Sequence, residues 1–186
     1  MKKLFLFSLL MAGVFTSQAQ IRFGARAGLN VANITGQDVE GYRSKAGLHF
    51  GGFANLALTP QLSVQGELMY SSQGARWDDD NEKTALNYLQ IPVLVKYQIV
   101  RGLYAEAGPQ IGFLLKAEDD NEGDVTNIKE FLEKTDVSIA VGGGYNINSN
   151  IGVYARYNAS LSKFYDEEKN SVFQLGVSYT FGKAGK

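Results

Sequence analysis

The fold is decided by the stretch SVFQLGVSYTF at residues 171–181. Apolar residues alternate here with small or polar ones, which predicts a β-strand with one apolar and one polar face. The apolar face consists of Phe173, Leu175, Val177, Tyr179 and Phe181. Because such a face can pack against lipid as well as against a protein core, the rest of the chain decides which of the two it contacts.

The same alternation recurs in seven earlier segments. They span about residues 21–33, 45–58, 62–72, 86–99, 103–116, 135–147 and 151–161. The connections after the second, fourth and sixth segments have about three residues each, whereas the other connections are long and polar. Short turns that alternate with long loops are typical of outer-membrane barrels. The sequence therefore predicts an all-β fold, an eight-stranded antiparallel up-and-down transmembrane β-barrel, with both termini and the short turns on the periplasmic side.

The N-terminus has the features of a secretory signal peptide. Lys2 and Lys3 precede an apolar run that ends at Phe15, and small residues precede a predicted cleavage site after Ala19. The apolar run is shorter than the roughly 20 residues that a transmembrane helix needs. We expect residues 1–19 to be removed on export and residues 20–186 to form one barrel domain in the outer membrane.

The composition argues against two classes of protein. The chain has 18 basic and 19 acidic residues, and loss of Lys2 and Lys3 makes the mature chain more acidic. An acidic chain is a poor nucleic-acid binder, so no nucleic-acid partner is expected. The chain has no cysteine, which excludes a scaffold held by disulfides. The 21 glycines and the 12% aromatic content suit a protein made of many strands.

Two patterns indicate which face of the barrel meets lipid. Charged residues within the strands lie opposite the apolar face, but a soluble barrel with an apolar interior, such as a lipocalin, would show the same pattern. The aromatic residues of the apolar face are more informative, because they lie at the two ends of the strands and leave aliphatic residues between them. Such girdles are typical of membrane barrels. The predicted girdle residues are Phe23, Tyr97, Tyr145, Tyr179 and Phe181 at the short-turn ends and Phe50, Tyr70, Phe113 and Phe173 at the long-loop ends.

Three segments resemble the PorT-type outer-membrane β-barrel family of Bacteroidota. They are FGARAGLN at residues 23–30, YLQIPVLVKY at 88–97 and AEAGP at 105–109. The resemblance covers essentially the whole mature chain and implies a small, porin-like barrel of the OmpA/OmpX type in the envelope of a Gram-negative cell. The aromatic alternation that ends at Phe181 also resembles the signal read by the outer-membrane insertion machinery, although residues 182–186 follow it.

The main candidate site is a set of charges on the predicted interior face. Its members are Arg26, Glu67, Lys96, Glu106 and Arg156. The hairpin lengths place Lys96 opposite Glu106, and Arg156 opposite Gly142. All five lie about four to six residues from the short turns, so we expect them to meet near the waist of the barrel. Because side chains fill the interior of an eight-stranded barrel, this pattern favours an ion-pair plug over the alternative, a gate for a narrow polar pathway.

Three further interior residues are predicted near the long-loop mouth: His49, Ser71 and Asp136. His49 is the sole histidine, and the hairpin places it opposite Ser71. A Ser-His-Asp hydrolase would use these residue types, but the chain has no G-x-S-x-G nucleophile motif. We therefore interpret His49 as a hydrogen-bonded interior residue and predict no enzymatic activity.

Other segments lead to weaker predictions. Acidic runs at residues 78–82, 118–124 and 166–168 could hold Ca²⁺, but the first two lack the glycine that an EF-hand loop requires at its sixth position. We expect solvated loops and predict neither a metal nor a cofactor. Apolar residues at helical spacing within residues 127–134 predict a short helix over the mouth. Pro92 and Pro109 should lie nearly side by side and interrupt the strand pairing.

The function that these patterns favour is a structural or surface-interaction role for a monomeric barrel. Outer-membrane lipid and the insertion machinery are the expected partners, and the long loops could contact an extracellular or envelope protein. The alternative is a narrow passive channel or an accessory component of a secretion system.

Overall fold

The computed structural model describes residues 21–35, 42–77, 83–121, 124–129, 132–162 and 169–182. Within these ranges the chain forms nine β-strands. They are β1 (Ile21–Thr35), β2 (Tyr42–Ala57), β3 (Leu62–Trp77), β4 (Lys83–Gln98), β5 (Leu103–Asn121), β6 (Asp124–Asn127), β7 (Thr135–Asn146), β8 (Ile151–Ser160) and β9 (Lys169–Thr180). All but the short β6 form one closed antiparallel barrel, so the predicted fold class is confirmed. The predicted signal peptide lies outside the described residues.

The barrel strands pair in sequence order, and β1 pairs with β9 to close the sheet. Closure leaves no unpaired sheet edge, which removes the main route by which strands aggregate. The closing strand is the alternating stretch that ends at Phe181. Where β1 pairs with β9, Leu29 lies opposite Leu175 on the outer face, and Asn30 lies opposite Gln174 on the inner face.

The three short turns are built by side-chain and backbone hydrogen bonds. The hydroxyl of Thr59 accepts from the amides of Gln61 (3.2 Å) and Leu62 (2.9 Å). The amide oxygen of Asn148 accepts from the backbone of Asn150 (2.9 Å). Gly102 has a φ of +90°, a backbone conformation that favours glycine. These tight turns set the register of each hairpin and thereby which side chains meet inside the barrel.

The apolar face of the sheet points outward and the charged face points inward. Leu29 and Leu175 are 58% and 51% exposed, whereas Arg26 is 2% exposed. This distribution is the reverse of that in a lipocalin, whose apolar residues fill the barrel. Outward apolar and inward polar residues are the arrangement of a barrel surrounded by lipid. Among the described residues, no helix is long and apolar enough to cross a bilayer.

The predicted short helix over residues 127–134 is found in part within the described residues. Asn127 ends β6, which pairs with the end of β5. Beyond it Lys129 is in 3₁₀-helical conformation, and the amide of Leu132 donates to its carbonyl (3.5 Å). Ile128 and Leu132 pack on the barrel, while Phe131 lies outside the described residues. The apolar spacing in this segment therefore marks a short 3₁₀ turn whose apolar side chains pack against the barrel.

The strand pairing is interrupted at the two prolines. Partner pairs between β4 and β5 extend to Pro92 opposite Gln110 and resume at Val95 opposite Ala107. Pro109 lies in the intervening stretch and pairs on its other side with Ile139 of β7. Because proline lacks the amide hydrogen that a ladder needs, an interruption is expected at this point, as predicted.

Candidate functional site

The centre of the barrel holds two arginines and two glutamates that contact one another. Arg26 donates to Glu67 (Nη1 to Oε1, 2.8 Å) and to Glu106 (Nη2 to Oε2, 3.1 Å). Arg156 donates to Glu67 at 2.9 Å and to Glu106 at 2.7 Å. Each carboxylate is therefore held by both guanidinium groups. The four residues come from β1, β3, β5 and β8, so their contacts cross the interior from one wall to the other.

Lys96 adds a fifth formal charge at the side of this group. Its Nζ lies 3.7 Å from Oε2 of Glu106 and donates to Oε1 of Gln65 (3.2 Å). The ammonium group also lies 3.9 Å from the ring centroid of Tyr104, within the range of a cation–π contact. We call Arg26, Glu67, Lys96, Glu106 and Arg156 the charged layer. It contains three cations and two carboxylates, hence one excess positive charge.

The burial of these side chains makes their pairing essential. The side chains of both glutamates are fully buried, and those of both arginines are at most 2% exposed. Removing an ion from water is costly, and only close opposite charges with additional hydrogen bonds compensate for it. Gln65 supplies such a bond to Glu67 (2.6 Å). The charged layer therefore stabilises the barrel only as a complete set.

Three interior aromatic residues contact the charged layer and were not among the predicted site residues. The ring of Tyr154 lies 4.2 Å from Cζ of Arg26, and that of Phe53 lies 5.8 Å from it. The hydroxyl of Tyr104 accepts a hydrogen bond from Arg26 (3.3 Å). All three side chains are buried. They pack around the guanidinium group, and the Arg26 side chain is 1% exposed.

A signal in the sequence could have found these aromatic residues. Each of them lies opposite an inward-facing glycine: Gly24 faces Phe53, and Gly144 faces both Tyr104 and Tyr154. A Cβ atom at Gly24 would overlap the Phe53 ring, and one at Gly144 would overlap the Tyr104 hydroxyl. Glycine thus makes the room that a large ring needs inside a small barrel, where small and large residues alternate.

A neutral layer lies next to the charged layer on the long-loop side. Its centre is His49, whose Nδ1 is 2.7 Å from Oδ1 of Asn30 and whose Nε2 is 2.5 Å from the Tyr154 hydroxyl. Asn30 also donates to the hydroxyl of Ser71 (2.9 Å) and accepts from Gln174 (3.0 Å). We call these five residues the polar layer. Every polar group in this chain of bonds has a partner, as buried polar groups require.

His49 lies opposite Ser71, as the hairpin predicts. Both side chains are buried in the interior, and their place near the long-loop mouth stays a prediction. Asp136 is half-buried, and its carboxylate accepts a hydrogen bond from the Ser160 hydroxyl. Both ring nitrogens of His49 are engaged by Asn30 and Tyr154, so His49, Ser71 and Asp136 do not form a catalytic triad.

The long-loop end of the interior is apolar on the side of β4 and β5. Leu86, Tyr88, Leu114 and Ala117 form a buried cluster that we call the apolar layer, and Ile128 and Leu132 pack against it. This cluster lies where β4 begins and where β5 continues beyond the barrel wall. The extra β-strand and the single turn after it therefore cover the barrel on this side.

The short-turn end holds a cavity of about 730 Å³ that we call the vestibule. Its wall includes the turn residues Thr59, Gln61 and Ser149, and it reaches inward to Arg26 and Lys96 of the charged layer. The interior thus changes from an open polar space at one end, through charged and neutral layers, to an apolar cluster at the other.

The predicted girdle residues all lie on the outer face. Eight of the nine are exposed, and Tyr70 is half-buried. Phe50 and Tyr70 contact each other with ring centroids 5.2 Å apart, and Tyr179 and Phe181 do so at 5.8 Å. Pairs of rings at both ends of the barrel are compatible with girdles at the two lipid–water boundaries.

No metal site is found in the part of the chain that the structure describes: no group of three or more His, Asp or Glu side chains is suitably placed there. The acidic runs at residues 78–82 and 166–168 lie outside the described residues. In the run at residues 118–124, the Glu118 carboxylate pairs with Lys116 at 2.6 Å on the surface.

A closed eight-stranded barrel with an apolar exterior and a charged interior is a transmembrane β-barrel of the outer-membrane class. The chain belongs to the family described as Outer membrane protein beta-barrel domain, whose model matches residues 16–166. The protein is therefore a small outer-membrane barrel whose outer face contacts lipid. The match supports this broad family and does not distinguish the PorT-type group within it.

Two solved structures are similar in fold. Ail, the attachment invasion locus protein of Yersinia pestis, has 18% identity, with 86% of this chain and 98% of that chain covered and a TM-score of 0.55. Neisserial surface protein A (NspA) has 15% identity, with 86% and 97% covered and a TM-score of 0.60. At such identities the likeness shows the fold alone. No curated protein matches the chain.

Proposed function

We propose that this protein is a structural or surface-interaction barrel whose interior is plugged by the charged layer. One observation carries the plug: Arg26 and Arg156 each bind both Glu67 and Glu106, and the four residues come from strands around the whole wall. A side-chain network that crosses the interior would block a continuous water path, and its ions would lose their partners if it opened. We propose no catalytic role.

The surface role is proposed for the long connections. They all leave the end of the barrel where the apolar layer lies, and they follow β1, β3, β5 and β8. The two proteins of similar fold are an attachment invasion locus protein and a surface protein. For this chain we propose contact with an extracellular or envelope protein through the same end.

The proposal includes the orientation and the route of export. Residues 1–19 act as a signal peptide, the insertion machinery recognises the closing strand, and the short turns face the periplasm. PorT-type membership is proposed on the three resembling segments alone. A monomer is proposed because closure of the sheet requires no second chain.

Planar-bilayer recording tests the plug against the alternative of a narrow passive channel. We expect no stepwise conductance from the wild-type protein. The double variant Glu67→Ala, Arg156→Ala removes one anion and one cation and should admit ions where the wild type does not. Heat-modifiable gel migration verifies that the variant is folded. Steady openings of the wild-type protein would contradict the plug.

Cysteine labelling tests the orientation, because the chain has no cysteine of its own. We expect a membrane-impermeant maleimide to label Asp79→Cys, in a long connection, on intact cells. The matched variant Ser149→Cys, in a short turn, should react only after the outer membrane is permeabilised. Labelling of Ser149→Cys alone on intact cells would reverse the orientation.

A further inference from the structure

The vestibule is lined by cations without carboxylates on its wall. Arg22 and Arg101 lie at its rim, and Arg26 and Lys96 lie at its floor. The two glutamates of the charged layer, Glu67 and Glu106, lie behind the floor. Each of them is already paired with the guanidinium groups of Arg26 and Arg156. Among the described residues that line the vestibule there is neither an aspartate nor a glutamate.

The rim cations have no neutralising partner within the described chain. Arg22 and Arg101 are both exposed, and neither has an ion pair with a described residue. At the floor, the Lys96 side chain is still 15% exposed, and the charged layer to which it belongs carries one excess positive charge. A cleft lined by charges of one sign concentrates the field and attracts ions of the opposite sign.

The size of the vestibule indicates the class of anion. Its volume of about 730 Å³ is that of a pocket for an organic small molecule, and a single inorganic ion would leave most of it empty. Lys96 and the two rim arginines lie at two depths, so a ligand with anionic groups at both ends can contact Lys96 at one end and the rim at the other. The neutral side chain of Gln98 also lines the wall.

We propose that the vestibule binds a small phosphorylated polyanion, with one phosphoryl group at Lys96 and another at Arg22 and Arg101. Guanidinium groups bind phosphate oxygens in pairs, which makes the arginine rim suited to a terminal phosphoryl group. The site is separate from the long connections and does not depend on the surface role. In the proposed orientation its ligand comes from the periplasm.

Calorimetric titration of the mature protein in lipid nanodiscs with sodium tripolyphosphate tests this inference. We expect saturable binding of one ligand per barrel, weakened by salt because the rim is exposed to solvent. The variant Arg22→Gln, Arg101→Gln should bind about tenfold more weakly, since it loses two partly exposed charge contacts. Lys96→Gln should weaken binding as well, because it removes the partly exposed cation at the floor. The amide of the introduced glutamine can still hydrogen-bond to Gln65, as the lysine does.

The matched control is Lys116→Gln, Lys134→Gln, which removes two exposed cations at the opposite end of the barrel. We expect its affinity to stay within about twofold of the wild type, because charges beyond a Debye length of roughly 8 Å are screened. Gel migration before and after heating shows that each variant is folded. Absence of saturable binding to the wild type, or equal weakening by control and rim variants, would overturn the proposal.

Discussion

The two ends of the barrel interior are built by opposite means. At the short-turn end, Arg26, Glu67, Glu106 and Arg156 hold the walls together by ion pairs, and beyond them lies an open vestibule. At the long-loop end, the apolar layer around Leu86 joins β4, β5 and the segment that holds Ile128 and Leu132 by apolar contacts. The polar layer separates the two. One small barrel thus combines two kinds of interaction. Ion pairs need matched partners in a fixed geometry, whereas apolar contacts do not.

The two kinds of interaction should respond differently to the loss of one side chain. An ion-pair network fails when a partner is missing, because a buried charge is left unpaired. An apolar cluster loses contacts in proportion to the atoms removed and to the cavity that remains. The following predictions test this difference, beginning with the larger effect.

Glu67→Ala should lower the free energy of unfolding by about 3–5 kcal/mol, because both arginines then depend on Glu106 alone. Unfolding of the mature protein by urea in lipid vesicles measures the loss. The matched control is Glu118→Ala, which breaks the exposed pair with Lys116 and should cost only about 0–1 kcal/mol. Equal costs for the two variants would mean that the charged layer does not hold the barrel together.

Leu86→Ala should lower the free energy of unfolding by about 2–3 kcal/mol, near the lower end for a buried leucine, because neighbours at the end of a strand can relax into the space. The same urea experiment applies, and the effect should not depend on salt. The control, Leu68→Ala, removes an outward leucine, where lipid chains fill the space and no cavity forms. A larger loss from Leu68→Ala than from Leu86→Ala would contradict an interior apolar layer.

Much of the fold could be predicted because strands have a side-chain period of two. Alternation assigned each of the eight strands an inward and an outward face, and three-residue turns set the register of each hairpin. Lys96 opposite Glu106 and Arg156 opposite Gly142 follow from that register alone. The short β6 could not be foreseen, because four residues within an acidic loop carry no clear alternation.

The candidate site could be predicted as a set of residues and not as a set of contacts. Alternation and hairpin register apply to neighbouring strands, whereas Arg26 meets Glu106 from a strand 80 residues further along the chain. The partners of His49 were missed for a related reason: its position along β2 gave no account of Asn30 from β1 and Tyr154 from β8, which contact it.

The sequence by itself determined that eight alternating strands close into a barrel, which residues face inward, and which side chains are neighbours within a hairpin. Period and turn length are local properties, and they suffice for these features. Only the tertiary structure decided which charges pair across the interior, where the apolar layer lies, and that Arg22 and Arg101 line the vestibule without an ion pair to a described residue. Those features depend on the curvature and closure of the whole sheet, which bring together side chains from strands that are not neighbours.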